Sequence, residues 1–491
     1  MGCRFRRVAR IDEQILIAGG VLLIAVAAAI ATRRLRFPLL ITFLGLGMLL
    51  GSEGAGGIYF DDAELARSIG IVGLIAILFE GGLTTDWSDV RPVLGPAFLL
   101  STVGVVVTML VTGVAARALF DFSWSKSFLL GAVVGSTDAA AVFATLRFTR
   151  LRRRLASVLA AESGVNDPTA VALTLGLIAW VETRGYSGGD LATLLGRQLG
   201  LGLVIGVALG FLASRLVPRL PPDFAPFAPV ASVAAAALAY GVAASVDGSG
   251  FLSVYVVALW LGNTPMSLRR TIVAFHEGLA FLAQVVLFIV LGLLVFPSRL
   301  GPVAWSALAL TAVLIFVVRP LGVVASVAPF RYGLREQLFL SWAGLRGAVP
   351  IVLATFALSA KIEGSDTIFN AVFFVVLVST LAQGVTLEPF ARRLGLTTEA
   401  RPFYSPPVEI GAIRALGGDI VEHEVGPEDA LVGTFVRSLH LPRQAIVMLI
   451  VRDENGIPPR GSTQIAAGDR LYVLVRGEAL GAVEQAMRQW V

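Results

Sequence analysis

The chain of 491 residues is poor in cysteine and in charge. Cys3 is its only cysteine, so no internal disulfide can form and a thiolate metal site is excluded. Only 15% of the residues are charged, whereas soluble globular domains carry about 25%. Hydrophobic residues make up 56%, and the mean hydropathy is +0.81. This balance excludes a soluble globular protein and predicts a polytopic membrane protein.

The sequence also lacks the features of a potassium channel and of a nucleic-acid-binding protein. The Thr-Val-Gly-Tyr-Gly filter of potassium channels does not occur. The net charge of +5 comes mostly from arginine at the ends of apolar segments, which membrane orientation explains better than nucleic-acid binding. We therefore expect a lipid bilayer around the chain, no nucleic-acid partner and no cofactor.

Hydropathy predicts about thirteen transmembrane helices within residues 1–398. Arginines cluster in the links after odd-numbered helices, and the positive-inside rule then places these links and the C-terminus in the cytoplasm of a bacterial cell. The N-terminal Arg4, Arg6, Arg7 and Arg10 disagree, because they would lie outside. The predicted spans are 14–31, 37–52, 66–84, 93–118, 125–147, 154–182, 191–216, 226–245, 250–263, 272–296, 302–327, 334–358 and 367–392.

The composition changes from about residue 400. Three prolines mark a linker at 399–407, and residues 408–491 are predicted to form a small cytoplasmic α+β domain. No Gly-x-Gly-x-x-Gly follows a strand there, so the domain is not a complete dinucleotide-binding unit. Its predicted elements are strands at 445–452 and 470–476, a turn at 453–456 and a helix at 478–488.

The sixth predicted span contains the most unusual stretch of the chain. Glu162, Ser163, Asn166 and Asp167 place two acids and two oxygen ligands within a segment otherwise apolar enough to cross a membrane. Their spacing of four puts all of them on one side of a helix. One charge at the bilayer centre costs about 2.5–3.5 kcal/mol even on mild insertion scales. The two acids therefore need a partner: a cation, a proton or an arginine.

Two further spans carry both a charge and helix-breaking residues. Span 5 contains Thr137 and Asp138 after Gly135-Ser136, and span 12 contains Arg346 between two glycines, just ahead of Pro350. If spans 1–6 and 8–13 are inverted repeats, both segments are fifth in their repeat. Interrupted segments at corresponding positions of two halves indicate a transport site near the membrane midplane.

Several of these residues have a plainer interpretation. Asp138 could be a hydrogen-bonded structural group, and a Glu162–Arg346 pair could be purely structural. Glu80, at the end of span 3, is more typical of an interfacial acid than of a site residue. His276 is more typical of a solvated helix start than of a proton sensor. We keep Glu80 and His276 as accessory candidates.

Three motifs, in this order, resemble those of the monovalent cation:proton antiporter-1 family, the NhaP-type exchangers. They are Thr137-Asp138, Glu162 with Asn166-Asp167, and the Gly-x-Arg-Gly-Ala at 344–348. The resemblance covers residue 12 to about 395. It implies an all-α membrane fold of about thirteen helices in two inverted six-helix repeats with crossed broken helices, electroneutral exchange and a homodimer. It also implies that Asp167 is the shared cation and proton site and that Glu162 pairs with Arg346.

Finer features resemble the potassium/proton branch of that family. They are Glu-Ser-Gly-Val-Asn-Asp-Pro at 162–168 and Phe-His-Glu-Gly-Leu-Ala at 275–280. The segment 458–474 resembles a TrkA C-terminal (RCK C-type) regulatory domain, which implies a small regulatory ligand in the cytoplasm.

We therefore expect a secondary antiporter of the bacterial inner membrane, not an enzyme, that exchanges K⁺ or Na⁺ for H⁺. Asp167 would bind either an alkali cation or a proton, with Ser163, the backbone of Thr137 and Asp138 completing the oxygen site and Asn166 as a neutral helper. A ligand-gated potassium channel and an intramembrane enzyme that uses Asp138 and Asp167 as paired acids are the alternatives. One carboxylate with several oxygens does not distinguish K⁺ from Na⁺.

Overall fold

The structure is a computed structural model that describes most of the chain in two compact units, Met1–Glu399 and Ala400–Val491. The N-terminal arginines at 4, 6, 7 and 10, Cys3 and the predicted linker 399–407 lie outside the described residues. These are 11–35, 38–146, 150–183, 185–220, 222–266, 268–398, 418–426, 429–452, 455–476, 479–488 and 490.

The membrane unit consists almost entirely of helices, as its composition predicts. Eight of those described are long and apolar enough to cross a membrane, and four shorter apolar helices accompany them. The first half holds α1 Ile11–Leu35, α2 Leu39–Leu50, α3 Ala63–Thr84, α4 Trp87–Val90, α5 Leu94–Leu99, α6 Val105–Phe120, α7 Trp124–Val133, α8 Ala139–Thr145 and α9 Arg153–Glu182.

The second half begins with a long helix and repeats the same kinds of element. The count of thirteen spans and the inverted repeat stay predictions. Its helices are α10 Gly188–Leu216, α11 Ala228–Ser245, α12 Gly250–Gly262, α13 Arg269–Leu293, α14 Ala304–Val313, α15 Arg319–Val327, α16 Leu334–Trp342, α17 Ala348–Ser359 and α18 Ser365–Arg393.

Both helix breaks expected from the sequence are present. Span 5 divides into α7 and α8, separated by 134–138, and span 12 into α16 and α17, separated by 343–347. Short π-helical segments, Leu100–Gly104 and Leu314–Val318, interrupt the spans just before them. Such segments are frequent at functional sites.

Helices α9 and α18 lie in the interior of the unit. Within the most apolar window of each, 72% and 67% of the residues are buried, against 28% for the helix that starts at Gly188. Arg150–Leu151 (β1) pairs antiparallel with Thr397–Thr398 (β2), which joins the start of α9 to the chain after α18. Among the eight long helices described, the acidic stretch is therefore carried by the one whose apolar window is most buried.

The C-terminal unit contains a four-stranded antiparallel sheet. Its strands are β3 Gly418–Glu424, β4 Ala445–Arg452, β5 Asn455–Ile457 and β6 Arg470–Arg476, in the order β3-β6-β4-β5. The inner face packs against α19 Leu480–Arg488 through Val447, Ile450, Val473 and Val483. The structure has β4 and β6 at the positions predicted for them, whereas β3 and β5 were not predicted. Residues 453–454 of the expected turn lie outside the described part.

Candidate functional site

Asp138 connects the two helix breaks. Its Oδ1 accepts a hydrogen bond from the Ala141 N–H at 3.0 Å, which caps α8, and its own N–H donates to the Leu345 carbonyl at 2.9 Å. Its Oδ2 packs directly on Gly347, where a Cβ atom would overlap it. A carboxylate on a half-helix N-terminus also gains from the helix dipole. Asp138 is therefore fixed by both interrupted segments.

Arg346 lies in the second break and is fully buried. Its Nη1 donates to the carbonyls of Gly135 at 2.8 Å and Ser136 at 2.5 Å. These carbonyls follow the C-terminal end of α7, where the helix dipole is negative. The guanidinium thus compensates backbone dipoles of the first break.

Glu162 has a different partner from the one predicted. Arg319 donates to Oε1 at 2.6 Å through Nη1 and to Oε2 at 3.0 Å through Nη2, and both side chains are buried. The predicted Glu162–Arg346 pair is wrong in this structure, because Arg319 already holds both carboxylate oxygens. A planar guanidinium matches a carboxylate in this two-bond arrangement.

Arg319 was not predicted as a site residue, although the sequence contains a signal for it. It is an arginine inside the apolar span 302–327, where a charge needs a partner. It directly follows the π-helical segment Leu314–Val318, and its Nε is in contact with Gly344. A Cβ atom at Gly344 would lie 2.7 Å from that nitrogen, so the second break also makes room for this arginine.

Asn166 ties the acidic stretch to Thr137. Its Nδ2 donates to the Thr137 carbonyl at 3.1 Å and to Oγ1 at 2.6 Å, while the Thr137 hydroxyl donates to Glu162 at 3.2 Å. Ser163 accepts the N–H of Ala139 at 3.4 Å and so lies beside Asp138. Four of the five predicted cation-site residues are therefore brought together around the start of α8, and the fifth, Asp167, lies one turn after Ser163 on α9.

Asp167 has an oxygen without a partner. It is 7% exposed, and its Oδ1, like the Oδ1 of Asn166, makes no hydrogen bond among the described residues. A carbonyl oxygen has two lone pairs, so Thr137 keeps one beside the Asn166 bond. Asp138 and Ser163 are only half-buried, which leaves the group open on one side. Such oxygen donors beside unwound backbone are what alkali cations bind.

The two accessory candidates lie apart from this group. His276 is 2% exposed, shares a 2.9 Å hydrogen bond with Ser232 and packs against Phe79 with ring centroids 4.6 Å apart. A solvated helix start is therefore the wrong interpretation for it. Glu80 is half-buried on α3. Within the described part of the chain, no hydrogen bond joins either side chain to the acidic stretch.

Comparisons with known proteins identify the family of each part of the chain. Residues 21–393 match the family described as "Sodium/hydrogen exchanger, transmembrane", and residues 420–488 match the TrkA-C domain. The K(+)/H(+) antiporter NhaP of Alkalimonas amylolytica is 38% identical over 472 residues, which cover 95% of this chain and 82% of that protein. NhaP2 of Shewanella oneidensis, also a K(+)/H(+) antiporter, is 37% identical over 477 residues, covering 96% and 83%.

More distant relatives carry another cation in their names. The Na(+)/H(+) antiporter ApNhaP of Aphanothece halophytica is 28% identical over 384 residues, covering 74% of this chain and 70% of that protein. The solved structure of the sodium proton antiporter MjNhaP1 from Methanocaldococcus jannaschii superposes with a TM-score of 0.69 at 24% identity, over 78% of this chain and 99% of the other. At that identity the superposition shows a shared fold.

Proposed function

Because this chain belongs to the sodium/hydrogen exchanger family and ends in a TrkA-C domain, we propose that it is a secondary antiporter that exchanges K⁺, in preference to Na⁺, for H⁺. The preference for K⁺ rests on the relatives at 37–38% identity, which are named K(+)/H(+) antiporters. Their similarity extends over nearly the whole of this chain. The family is one of transporters, so no chemical conversion of a substrate is expected.

The observation that supports the mechanism best is the unpartnered Oδ1 of Asp167 in a buried group of oxygen atoms. A buried carboxylate with one oxygen free of hydrogen bonds binds either a proton or a cation, because charge neutrality excludes both at once. Asp138, Ser163, the Thr137 carbonyl and the free Oδ1 of Asn166 would supply the other ligands. Competition at one carboxylate then couples the two fluxes without a second site.

The ion pair between Glu162 and Arg319 leaves Asp167 as the acid at which the proton and the cation compete. Glu162 is neutralised by the two hydrogen bonds from Arg319, and a third comes from Thr137. Removing one member of a buried ion pair is far more costly than removing both. Glu162 thus stays charged and structural, and the exchange of one cation for one proton is electroneutral.

The same proposal includes the architecture. If spans 1–6 and 8–13 are six-helix repeats, the helix breaks in spans 5 and 12 and the π-helical segments in spans 4 and 11 fall at matching positions, which supports thirteen spans with inverted symmetry. We propose a homodimer in the bacterial inner membrane, with residues 1–398 as the exchanger, 399–407 as a linker and 408–491 as a cytoplasmic regulatory domain that binds a small ligand. Regulation that is identical in a chain truncated after residue 399 would contradict the role of the tail.

The decisive experiment replaces Asp167 by Asn in proteoliposomes that carry a pH-sensitive dye. We expect cation-driven proton flux to disappear, because the amide keeps the size of the side chain but cannot exchange a proton. Asp121→Asn is the matched control, since Asp121 is exposed at the end of α6. Comparing K⁺, Na⁺, Li⁺ and Rb⁺ gives the selectivity.

Two outcomes would contradict this function. Exchange retained by Asp167→Asn would show that another group carries the proton. Large cation currents through the wild-type protein without any pH response would favour the ligand-gated potassium channel, the alternative that a TrkA-type tail leaves open.

A further inference from the structure

The break in span 12 leaves backbone carbonyls that its own helices cannot satisfy. Three of them find partners outside the segment: Trp342, Leu345 and Arg346. The Leu345 carbonyl receives the N–H of Asp138. An unsatisfied carbonyl inside a membrane costs several kcal/mol, so these partners decide whether the broken conformation is stable.

The other two carbonyls are satisfied by one neighbouring helix. From α18, Gln383 Nε2 donates to the Trp342 carbonyl at 2.9 Å, and Thr380 Oγ1 donates to the Arg346 carbonyl at 2.9 Å. Ser379 Oγ donates to Gln383 Oε1 at 2.5 Å and so turns the amide nitrogen towards the break. All three side chains are buried. We call Ser379, Thr380 and Gln383 the polar triad.

Many hydroxyls in this unit bond their own helix instead. Thr311 Oγ1, for example, donates to the Ala307 carbonyl one turn earlier at 2.6 Å, although it is just as buried. This back-bonding is the ordinary arrangement for threonine within a helix. The hydroxyl of Thr380 and the amide of Gln383 depart from it by bonding another element.

The contacts of the break lead from the triad to the cation site. Thr380 holds the carbonyl of Arg346, whose side chain donates to the carbonyls of Gly135 and Ser136. The neighbouring Leu345 carbonyl holds the N–H of Asp138. The position of Asp138 therefore depends on a segment that the triad also holds.

We propose that Ser379, Thr380 and Gln383 are positioning residues, which set the cation affinity of the site by holding the second helix break without touching the ion. This inference rests on the proposed exchange function. Partners that orient a ligand in this indirect way typically change metal affinity about 10–100-fold when they are removed.

The test compares Thr380→Val and Gln383→Leu with the wild-type protein in proteoliposomes, over a range of K⁺ concentrations and pH values. We expect the half-saturating K⁺ concentration to rise about tenfold and the pH profile to shift, while the maximal rate is largely retained. Thr380→Ser keeps the hydroxyl and should retain the wild-type half-saturation and pH profile. Ser379→Ala leaves both bonds to the break possible and should give a smaller rise.

Thr311→Val is the matched control, because it removes an equally buried hydroxyl that bonds only its own helix. The positioning role is overturned if Thr380→Val and Gln383→Leu keep the wild-type half-saturation and pH profile. It is also overturned if they lower only the maximal rate, or if Thr311→Val changes affinity equally.

A second readout separates this inference from the function on which it rests. The dependence of the thermal unfolding midpoint on K⁺ reports binding whether or not the protein exchanges ions. Absence of exchange in the wild type would contradict the proposed function alone. Variants whose unfolding midpoint depends on K⁺ as it does in the wild type would contradict the positioning role alone. The midpoint also reports K⁺ binding by a variant that transports poorly.

Discussion

At the scale of single residues, the two buried arginines have different tasks. Arg319 neutralises Glu162, whereas Arg346 satisfies carbonyls of the first helix break. The three acids in the membrane interior are therefore not equivalent. Glu162 is committed to an arginine, Asp138 to a helix N-terminus, and Asp167 has an oxygen available for exchange.

Replacing Arg319 by Gln should destabilise the protein by about 3–5 kcal/mol, because Glu162 would remain as an uncompensated buried charge. The thermal unfolding midpoint in detergent should fall accordingly. The double variant Arg319→Gln with Glu162→Gln should recover most of the loss, since both charges are then gone. A double variant as unstable as the single one would show that the pair is not the source of the effect.

At the scale of elements, the glycines of the second break are matched to their neighbours. Gly344 accommodates Arg319 and Gly347 accommodates Asp138, so the interruption serves close approach as well as unwinding. The continuous helix α9 carries the exchange residues against these interrupted segments. A continuous helix beside two broken ones keeps Glu162, Asn166 and Asp167 in fixed register.

Gly347→Ala should abolish exchange, because the added methyl group overlaps the carboxylate of Asp138. Overpacking of this kind costs about 1–3 kcal/mol and displaces the side chain that it meets. Gly278→Ala is the control, since a Cβ atom at Gly278 of α13 would meet open space. Proton flux is measured for both variants. Normal exchange by Gly347→Ala would contradict the importance of the contact between Gly347 and Asp138.

At the scale of the whole molecule, the chain combines two units that are stabilised in different ways. In the membrane unit, Glu162 pairs with Arg319, Asp138 caps a helix, and Arg346 donates to backbone carbonyls. The C-terminal unit has a small apolar core and a partly buried ion pair, in which Arg452 donates to Asp469 at 2.7 and 2.8 Å. Burial disfavours the Asp469 carboxylate, but the bonds from Arg452 and from the Ala466 N–H outweigh it and lower the pKa of Asp469.

This lowered pKa predicts how the C-terminal unit responds to acid. A carboxyl group with a depressed folded-state pKa contributes stability above its unfolded pKa of about 3.9, and that stability is lost as pH falls through the folded-state value. Asp469→Asn should be less stable than wild type at pH 7 and lose less on acidification below about pH 4. Urea unfolding of residues 400–491 at pH 7 and pH 3 measures this. Equal acid sensitivity of both proteins would contradict it.

Local patterns in the sequence determined much of this protein. Apolar runs indicated the membrane helices, Gly-Ser-Thr-Asp and Gly-Leu-Arg-Gly indicated the two breaks, and short apolar runs at 445–452 and 470–476 indicated two strands. The strand at 418–424 was missed because it is rich in acidic residues, so its pairing with β6 stabilises it more than its own pattern does. These features depend on neighbours in the chain, which a sequence displays directly.

Only the tertiary structure decided which buried groups meet. Glu162 pairs with an arginine 157 positions away, Arg346 donates to backbone carbonyls, His276 is buried against Phe79, and the polar triad bonds the second break. Nothing in the sequence ranks Arg319 above Arg346 as the partner of Glu162, because the choice depends on how helices pack and on the register that a π-helical segment imposes. A charge in a membrane must find a partner, and packing determines which one.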